Sequence, residues 1–204
     1  MTTIQQAFDA QRDTALRLRQ STLAERKAKI LKLRDAMLKY QDEIVQAGWA
    51  DFRKPAAEVD LTEVLPVVAE ANDAMRNLKA WMKPQGVWPS RMMLGTKGYM
   101  QYEPKGRCLI VSPWNYPVNL SLGPLVSAIA AGNTAIIKPS EMTPHAAAII
   151  SKIVREVFDP SEVTVIEGEA PVAQALLELP FDHIFFTGSP AIGKVVMAAA
   201  AKHL

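Results

Sequence analysis

The sequence predicts an α/β fold: a helical N-terminal arm followed by an incomplete Rossmann-like parallel sheet with helices on both faces, plus a hairpin excursion between them. Three observations predict it. Apolar residues recur with helical period up to about residue 84; an uncharged run from Cys108 to Ile137 reads as strand, loop, helix and strand; short apolar strands and helices then alternate to the end of the chain. Strands alternating with helices imply a parallel sheet joined by right-handed crossovers. The chain accordingly divides into a helical segment, 1–84, an excursion, 85–106, and a partial Rossmann-like domain, 107–204.

In the arm, Thr22-x-x-Glu25 is a capping box. After it Leu23, Ile30, Met37 and Ile44 recur at heptad spacing, with Leu31, Leu38 and Val45 beside them. That is one apolar stripe on one helix, which the sequence carries to about Ala47 and stops near Gly48. Asp60-x-x-Glu63 reads as a second helix start, with Val64, Val68, Ala71, Met75, Leu78 and Met82 on one face, Pro66 near the first turn and Pro84 at the end. The charged residues between the stripes read as solvated faces.

The excursion carries Gly86, Pro89, Gly95, Gly98 and Pro104, with strand-like Tyr99–Tyr102 between turns. It is either an edge hairpin on its own domain or a strand offered to a partner subunit.

Cys108–Val111 is apolar on both faces, as a central parallel strand is. Ser112–Tyr116 is a loop, and Pro117 opens a helix at the position where its missing N–H costs nothing. That helix runs to about Ala131, with Gly132-Asn133 as its stop. Thr134–Ile137 is the next strand and delivers Lys138 and Glu141 to its carboxyl end, where open α/β sheets bind ligands. The uncharged run is long enough for a membrane span, but Pro113, Pro117, Pro124, Asn115, Asn119 and Asn133 inside it argue against one. Thr143-Pro144 caps a helix to about Phe158, and Asp159-Pro160 breaks it. Val163–Ile166, a short helix Pro171–Leu179 and the strand His183–Phe186 follow. The turn Thr187–Gly193 leads into an alanine-rich helix that reads as reaching Leu204 without a stop signal, so the chain reads as ending within its architecture.

With 204 residues, 49% of them hydrophobic, the chain can bury a core. A net charge of +2 gives no reason to expect nucleic acid or an acidic membrane surface as partner. One cysteine excludes a disulfide framework and fits a reducing compartment. Asp9, Arg12 and Asp13 leave no signal-peptide core at the N-terminus, and a cytoplasmic location is expected.

Gly188–Gly193 is a strand-to-helix turn of small residues, able to offer N–H groups and a positive dipole end to a phosphate, or else simply a tight connection. Pro190 stands where G-x-G-x-x-G needs its second glycine. Gly193-Lys194 approaches a P-loop, but Val195 stands where the magnesium-holding hydroxyl belongs, which counts against a nucleotide triphosphatase. Lys138 and Glu141 flank Pro139-Ser140: the carboxylate can accept both hydroxyls of a ribose and the ammonium can donate to sugar or phosphate, or both are solvated loop charges. The Asn115 amide, beside Trp114, can donate to a developing oxyanion, or satisfies local backbone. Cys108 reads as buried and inert. His145, His183 and His203 show no metal-ligand spacing, and no metal is expected.

Taken together and in order, Pro113-Trp114-Asn115-Tyr116-Pro117, Ala130-Ala131-Gly132-Asn133, Lys138-Pro139-Ser140-Glu141 and Phe186-Thr187-Gly188-Ser189 with Gly193 resemble the NAD(P)-dependent aldehyde dehydrogenase superfamily. Phe181–Ile184 and the terminal Ala198–Leu204 are most similar to its class 3 branch, the bacterial coniferyl aldehyde dehydrogenases in particular. The resemblance spans essentially the whole chain.

It implies that Asn115 stabilises the oxyanion of the reacting aldehyde and that Ser112 and Trp114 line the cofactor pocket. Lys138, Ser140 and Glu141 would bind the adenosine ribose, and Gly188, Ser189, Ile192 and Gly193 the pyrophosphate. The implied cofactor is NAD, with NADP allowed, and Gln85–Tyr102 would serve a homodimer. Glu167-Gly168-Glu169 departs from the branch, which often has paired glycines there. The family's nucleophilic cysteine and general-base glutamate fall beyond residue 204, so the chain is expected to be inactive alone, since acyl-enzyme chemistry needs an activated thiolate. A four-strand sheet is also expected to leave an edge and an apolar helix face uncovered, making the isolated chain marginally stable or self-associating. The rival readings are a non-catalytic binding or assembly module on the same scaffold and a phosphoryl-transfer enzyme with a degenerate P-loop.

Overall fold

A computed structural model describes residues 3–203; Leu204, the end of the alanine-rich terminal motif, lies outside them. The arm contains α1 (Ile4–Leu18), α2 (Leu23–Lys39), α3 (Gln41–Phe52), the short α4 (Ala56–Val59) and α5 (Leu65–Trp81). The Thr22 box forms as expected, with Glu25 N–H donating to Thr22 Oγ1 and Thr22 N–H to Glu25. The single stripe does not form a single helix. The chain breaks at Tyr40 (φ −100°, ψ 15°), whose hydroxyl donates to Glu156, and α3 continues past Gly48. Gly48 is a packing glycine, since a Cβ there would lie 2.6 Å from Val59. The stop is Arg53, left-handed at φ 63°, with Arg53 N–H donating to Trp49 O and Lys54 N–H to Gly48 O.

Asp60-x-x-Glu63 is likewise not a helix start. The helix begins at Ala56 behind Pro55 and passes through a π-helical turn, Asp60–Val64, into α5. Pro66 has no N–H for the carbonyl of Thr62, and the wider turn absorbs that loss. The apolar stripe of α5 is correct in outline: Val64, Val67, Ala71, Ala74 and Leu78 are buried. The solvated-face reading fails for four charges. Arg26 and Glu63 are buried, and the Asp51 and Lys54 side chains are 2% and 13% exposed.

The excursion contains a two-stranded antiparallel hairpin, β1 (Gln85–Val87) with β2 (Gly98–Met100), both strands exposed at every residue. Tyr102 lies beyond the pairing. The main sheet holds β3 (Arg107–Val111), β4 (Thr134–Lys138), β5 (Val163–Val165) and β6 (His183–Phe186), all parallel, in the order β5-β4-β3-β6. Between them run α6 (Pro117–Ala131), α7 (Pro144–Val157), α8 (Ala170–Leu177) and finally α9 (Pro190–Ala200). Gly132, at φ 86°, ends α6. The last helix stops at Ala200 in a turn closed by Lys202 N–H to Ala199 O and His203 N–H to Ala200 O, so it does not run unbroken to the end.

Alternation along the strands sends Ile110 and Ile137 to one face, against α2, α5, α6 and α7. Leu109 and Ile136 point to the other, against Phe8 of α1, Leu176 of α8 and Val196 of α9. β4 is therefore buried at every position, each large apolar side chain contributing about 1.5–3 kcal/mol. The Thr143 side chain makes no cap bond at α7. Asp51 does that work from α3: its carboxylate accepts from Ala146 N–H at 2.9 Å and His145 N–H at 3.3 Å. Among the described residues no helix is long and apolar enough to cross a membrane.

Candidate functional site

The parallel register sets the carboxyl ends of three strands abreast: Val111 lies opposite Lys138 on one side and Phe186 on the other. Backbone bonds continue the alignment, Ser112 N–H donating to Lys138 O (3.2 Å) and Thr187 N–H to Val111 O (3.1 Å). From β3 the chain steps outward to β4 and β5, then returns to place β6 on the opposite side of β3. That reversal opens a crevice at the carboxyl edge of doubly wound sheets. Every site residue expected from the sequence leaves the sheet at this edge: Ser112, Trp114 and Asn115 after β3, Lys138, Ser140 and Glu141 after β4, Gly188, Ser189, Ile192 and Gly193 after β6.

The residues differ in what they leave available. Ser112 is buried with its Oγ 2.6 Å from Ser121 Oγ, a bond that ties β3 to α6. Trp114 is half exposed, its ring 6.4 Å from that of Phe52. Asn115 is exposed; its carbonyl accepts from Lys54 Nζ at 2.7 Å, while among the described residues its side-chain amide makes no hydrogen bond. Lys138 is 4% exposed and donates to Glu141 Oε2 at 2.6 Å. This bond holds the Glu141 carboxyl below its usual range, so it is an anion at neutral pH. Ser140 is buried and its Oγ accepts from Met142 N–H, fixing the turn between them.

The glycine turn has a structural cause of its own. A Cβ at Gly188 would lie 2.5 Å from the tip of the Phe186 ring, so any larger residue there would have to push that ring aside. Ser189 caps α9 through Ile192 N–H (3.4 Å), and Ile192 is exposed. Cys108 is buried, and burial pushes its thiol up to about 12. Among the described residues no group of three His, Cys, Asp or Glu is placed to hold a metal.

Sequence reasoning missed the support beneath the Asn115 loop. Lys54 sits over the rings of Tyr116 (4.4 Å) and Phe52 (4.6 Å) and pairs with Glu63 at 3.5 Å. Glu63 Oε2 accepts from Val118 N–H (3.1 Å) and Asn119 N–H (2.9 Å), the first turn of α6. Burial pushes the Glu63 carboxyl up, opposed by the Asn119 N–H and by Lys54. The signal was Pro66: a proline in helical register frees the Thr62 carbonyl, which accepts from Asn119 Nδ2 at 3.0 Å.

Fold and crevice thus define a doubly wound α/β protein of the Rossmann-like class, with its candidate residues at the carboxyl edge. The chain matches the aldehyde dehydrogenase family over residues 1–204 and belongs to it. It is 44% identical over 201 residues to AldX of Bacillus subtilis (strain 168), covering 98% of this chain and 45% of AldX. It is 40% identical over 200 residues to aldehyde dehydrogenase family 3 member B1 of Bos taurus, covering 94% and 42%, in line with the class 3 resemblance. The solved substrate-bound AldH of Staphylococcus aureus superposes with a TM-score of 0.96 at 39% identity, covering 100% of this chain and 44% of AldH. The chain spans less than half the length of each.

Proposed function

We propose that this chain is the cofactor-binding, N-terminal part of an NAD(P)-dependent aldehyde dehydrogenase, the whole of which converts an aldehyde, NAD(P)⁺ and water to a carboxylic acid and NAD(P)H. The observation that carries this is the alignment of Val111, Lys138 and Phe186, which brings loops bearing an amide, a carboxylate and a glycine turn to one crevice. The donor set fits the cofactor. Glu141, ionised and on the surface side of its ion pair, can accept from two ribose hydroxyls while buried Lys138 holds it in place. Ser140 fixes that turn. Gly188, Ser189, Ile192 and Gly193 would meet the pyrophosphate at the start of α9, and Ser112 and Trp114 would flank the nicotinamide side through the loop after β3. The bound dinucleotide supplies the hydride acceptor. Asn115, with its amide unengaged, would donate to the oxyanion that develops on the aldehyde carbonyl.

A carboxylate facing the ribose favours NAD over NADP, and a coniferyl-like aldehyde is the substrate class that the resemblance suggests. The exposed hairpin, with Trp88, Met92 and Leu94 on its surface, would serve a homodimer. The single cysteine is buried and protonated, so these residues carry no thiolate nucleophile, and the chain by itself binds cofactor without turnover. Titration of NAD⁺, NADP⁺ and magnesium-ATP against the purified chain tests this. NAD⁺-selective binding without aldehyde oxidation is the expected result. Absence of nucleotide binding would leave an assembly module on the same scaffold, and magnesium-dependent ATP binding would point to phosphoryl transfer.

A further inference from the structure

Asn115 would act through its side chain, and the two ends of its loop are tied locally, Ser112 to Lys138 O and to Ser121 Oγ, and Tyr116 O to Leu120 N–H. The restraint on its middle and on the helix that follows comes from the helical arm, distant in sequence, through four hydrogen bonds. Lys54 Nζ donates to the Asn115 carbonyl at 2.7 Å. The Glu63 carboxylate takes Val118 N–H and Asn119 N–H, and the Thr62 carbonyl takes Asn119 Nδ2. Lys54 and Glu63 are 13% and 4% exposed at their side chains and 3.5 Å apart, so each compensates the burial of the other's charge.

The π-helical turn is what makes this possible. In an unbroken α-helix a carbonyl four residues before a non-proline residue is already bonded, and the side chains keep a fixed angular spacing. Pro66 leaves Thr62 O without a helical donor, and the turn Asp60–Val64 inserts one residue so that Glu63 and Thr62 O both serve α6. Residues 62 and 63 thus grip the base of the loop while residue 54 grips its tip.

We propose that Lys54 and Glu63 are the positioning residues of the Asn115 loop, holding it by its backbone so that the Asn115 amide stays unengaged and aimed from the sheet edge. The inference deepens the functional reading, because the amide it orients is the oxyanion donor named there. A grip on the backbone suits such a donor. A hydrogen bond to the amide itself would compete with a ligand, whereas one to the carbonyl fixes the peptide plane and leaves the amide free. The charge on Lys54 strengthens the bond to the carbonyl relative to a neutral donor.

The test uses the full chain and two variants at the tip, Lys54→Met, which keeps the stem without the ammonium, and Lys54→Arg, which restores a cationic donor. Hydrogen exchange of the Val118, Asn119 and Leu120 amides, with the NMR signal of the Asn115 side-chain NH₂, reads the loop directly. In Lys54→Met those three amides should exchange about tenfold faster or more, and the Asn115 signal should broaden or shift, with β3 and β4 protection unchanged. Lys54→Arg should restore at least part of both. Uniform loss of protection across β3, β4 and the loop would reduce Lys54 to a general stabiliser and overturn the proposal, as would a loop unchanged in Lys54→Met. Should Lys54→Met not fold, Lys54→Ala, which likewise has no donor, replaces it under the same criteria. NAD⁺ affinity of the unaltered chain, measured alongside, judges the cofactor reading separately, because the exchange result does not depend on it.

Discussion

β4 and β6 flank β3 on opposite sides, and both read in the sequence as short apolar strands. In the structure β4 is buried at every residue and paired along both edges, whereas β6 alternates between exposed and half-buried and pairs on one edge among the described residues. The difference lies in the cover. α6 and α7 close over Ile137 from one face and α1 and α8 over Ile136 from the other, while α6 does not reach Phe185, which stays 40% exposed in a groove beside Cys108 and Ile110. The helix after β6 presents Val195 and Met197 to solvent. An apolar strand is thus a permission to be buried, and the neighbouring helices decide whether burial occurs.

Cys108, opposite His183 in the register, offers the sharpest way to break this comparison. With its thiol pushed up to about 12, alkylation at pH 8 should be slower in the native chain than in urea by about a thousandfold or more. Mass spectrometry against time measures this, and comparable rates would mean that the β6 side opens readily. Core truncation comes next. Ile137→Ala should cost about 2–5 kcal/mol in urea unfolding, and Phe185→Ala about 1 kcal/mol or less, because half-exposed groups lose little on removal. Equal costs would erase the contrast between the strands.

Asp51→Ala tests the cover over β4 instead of the strand itself. Losing the cap of α7 should cost about 1–2 kcal/mol and lower the thermal midpoint, with hydrogen exchange rising first at Ala146. The smallest effect concerns the edge residues. Glu141→Gln should weaken NAD⁺ binding by about tenfold, read by calorimetry, with little change in folding. The sign with pH follows from the Lys138 bond: the folded carboxyl titrates below its unfolded value of 4.5. Its contribution is therefore complete above that value and is lost only as pH falls through the lower folded one. NAD⁺ affinity that already declined between pH 6 and 5 would contradict the ion pair.

Much of this was legible because it is local. Pro117 and Gly132 bound α6 by backbone chemistry alone, and short continuous apolar runs, set against period-3.6 patterns, separated strands from helices. The order of motifs along the chain was enough to suggest the family. What misled was local as well. The heptad stripe through Ile44 continued across Tyr40, where a side-chain bond to a distant helix allows the turn. Asp60-x-x-Glu63 imitated a capping box while Glu63 was committed to α6.

The amino-acid sequence by itself determined which regions are helical and which extended, where α6 begins and ends, that the sheet is parallel, and which polar residues stand at strand ends, because these depend on side-chain pattern, proline, glycine and charge within a few residues. Only the tertiary structure decided that β6 lies across β3 from β4, that Asp51, Lys54 and Glu63 are internal partners and not solvated charges, and that Gly188 packs closely against the ring of Phe186. Those outcomes rest on contacts between segments far apart in the chain, where the burial of one group is set by the chemistry of another that no local pattern contains.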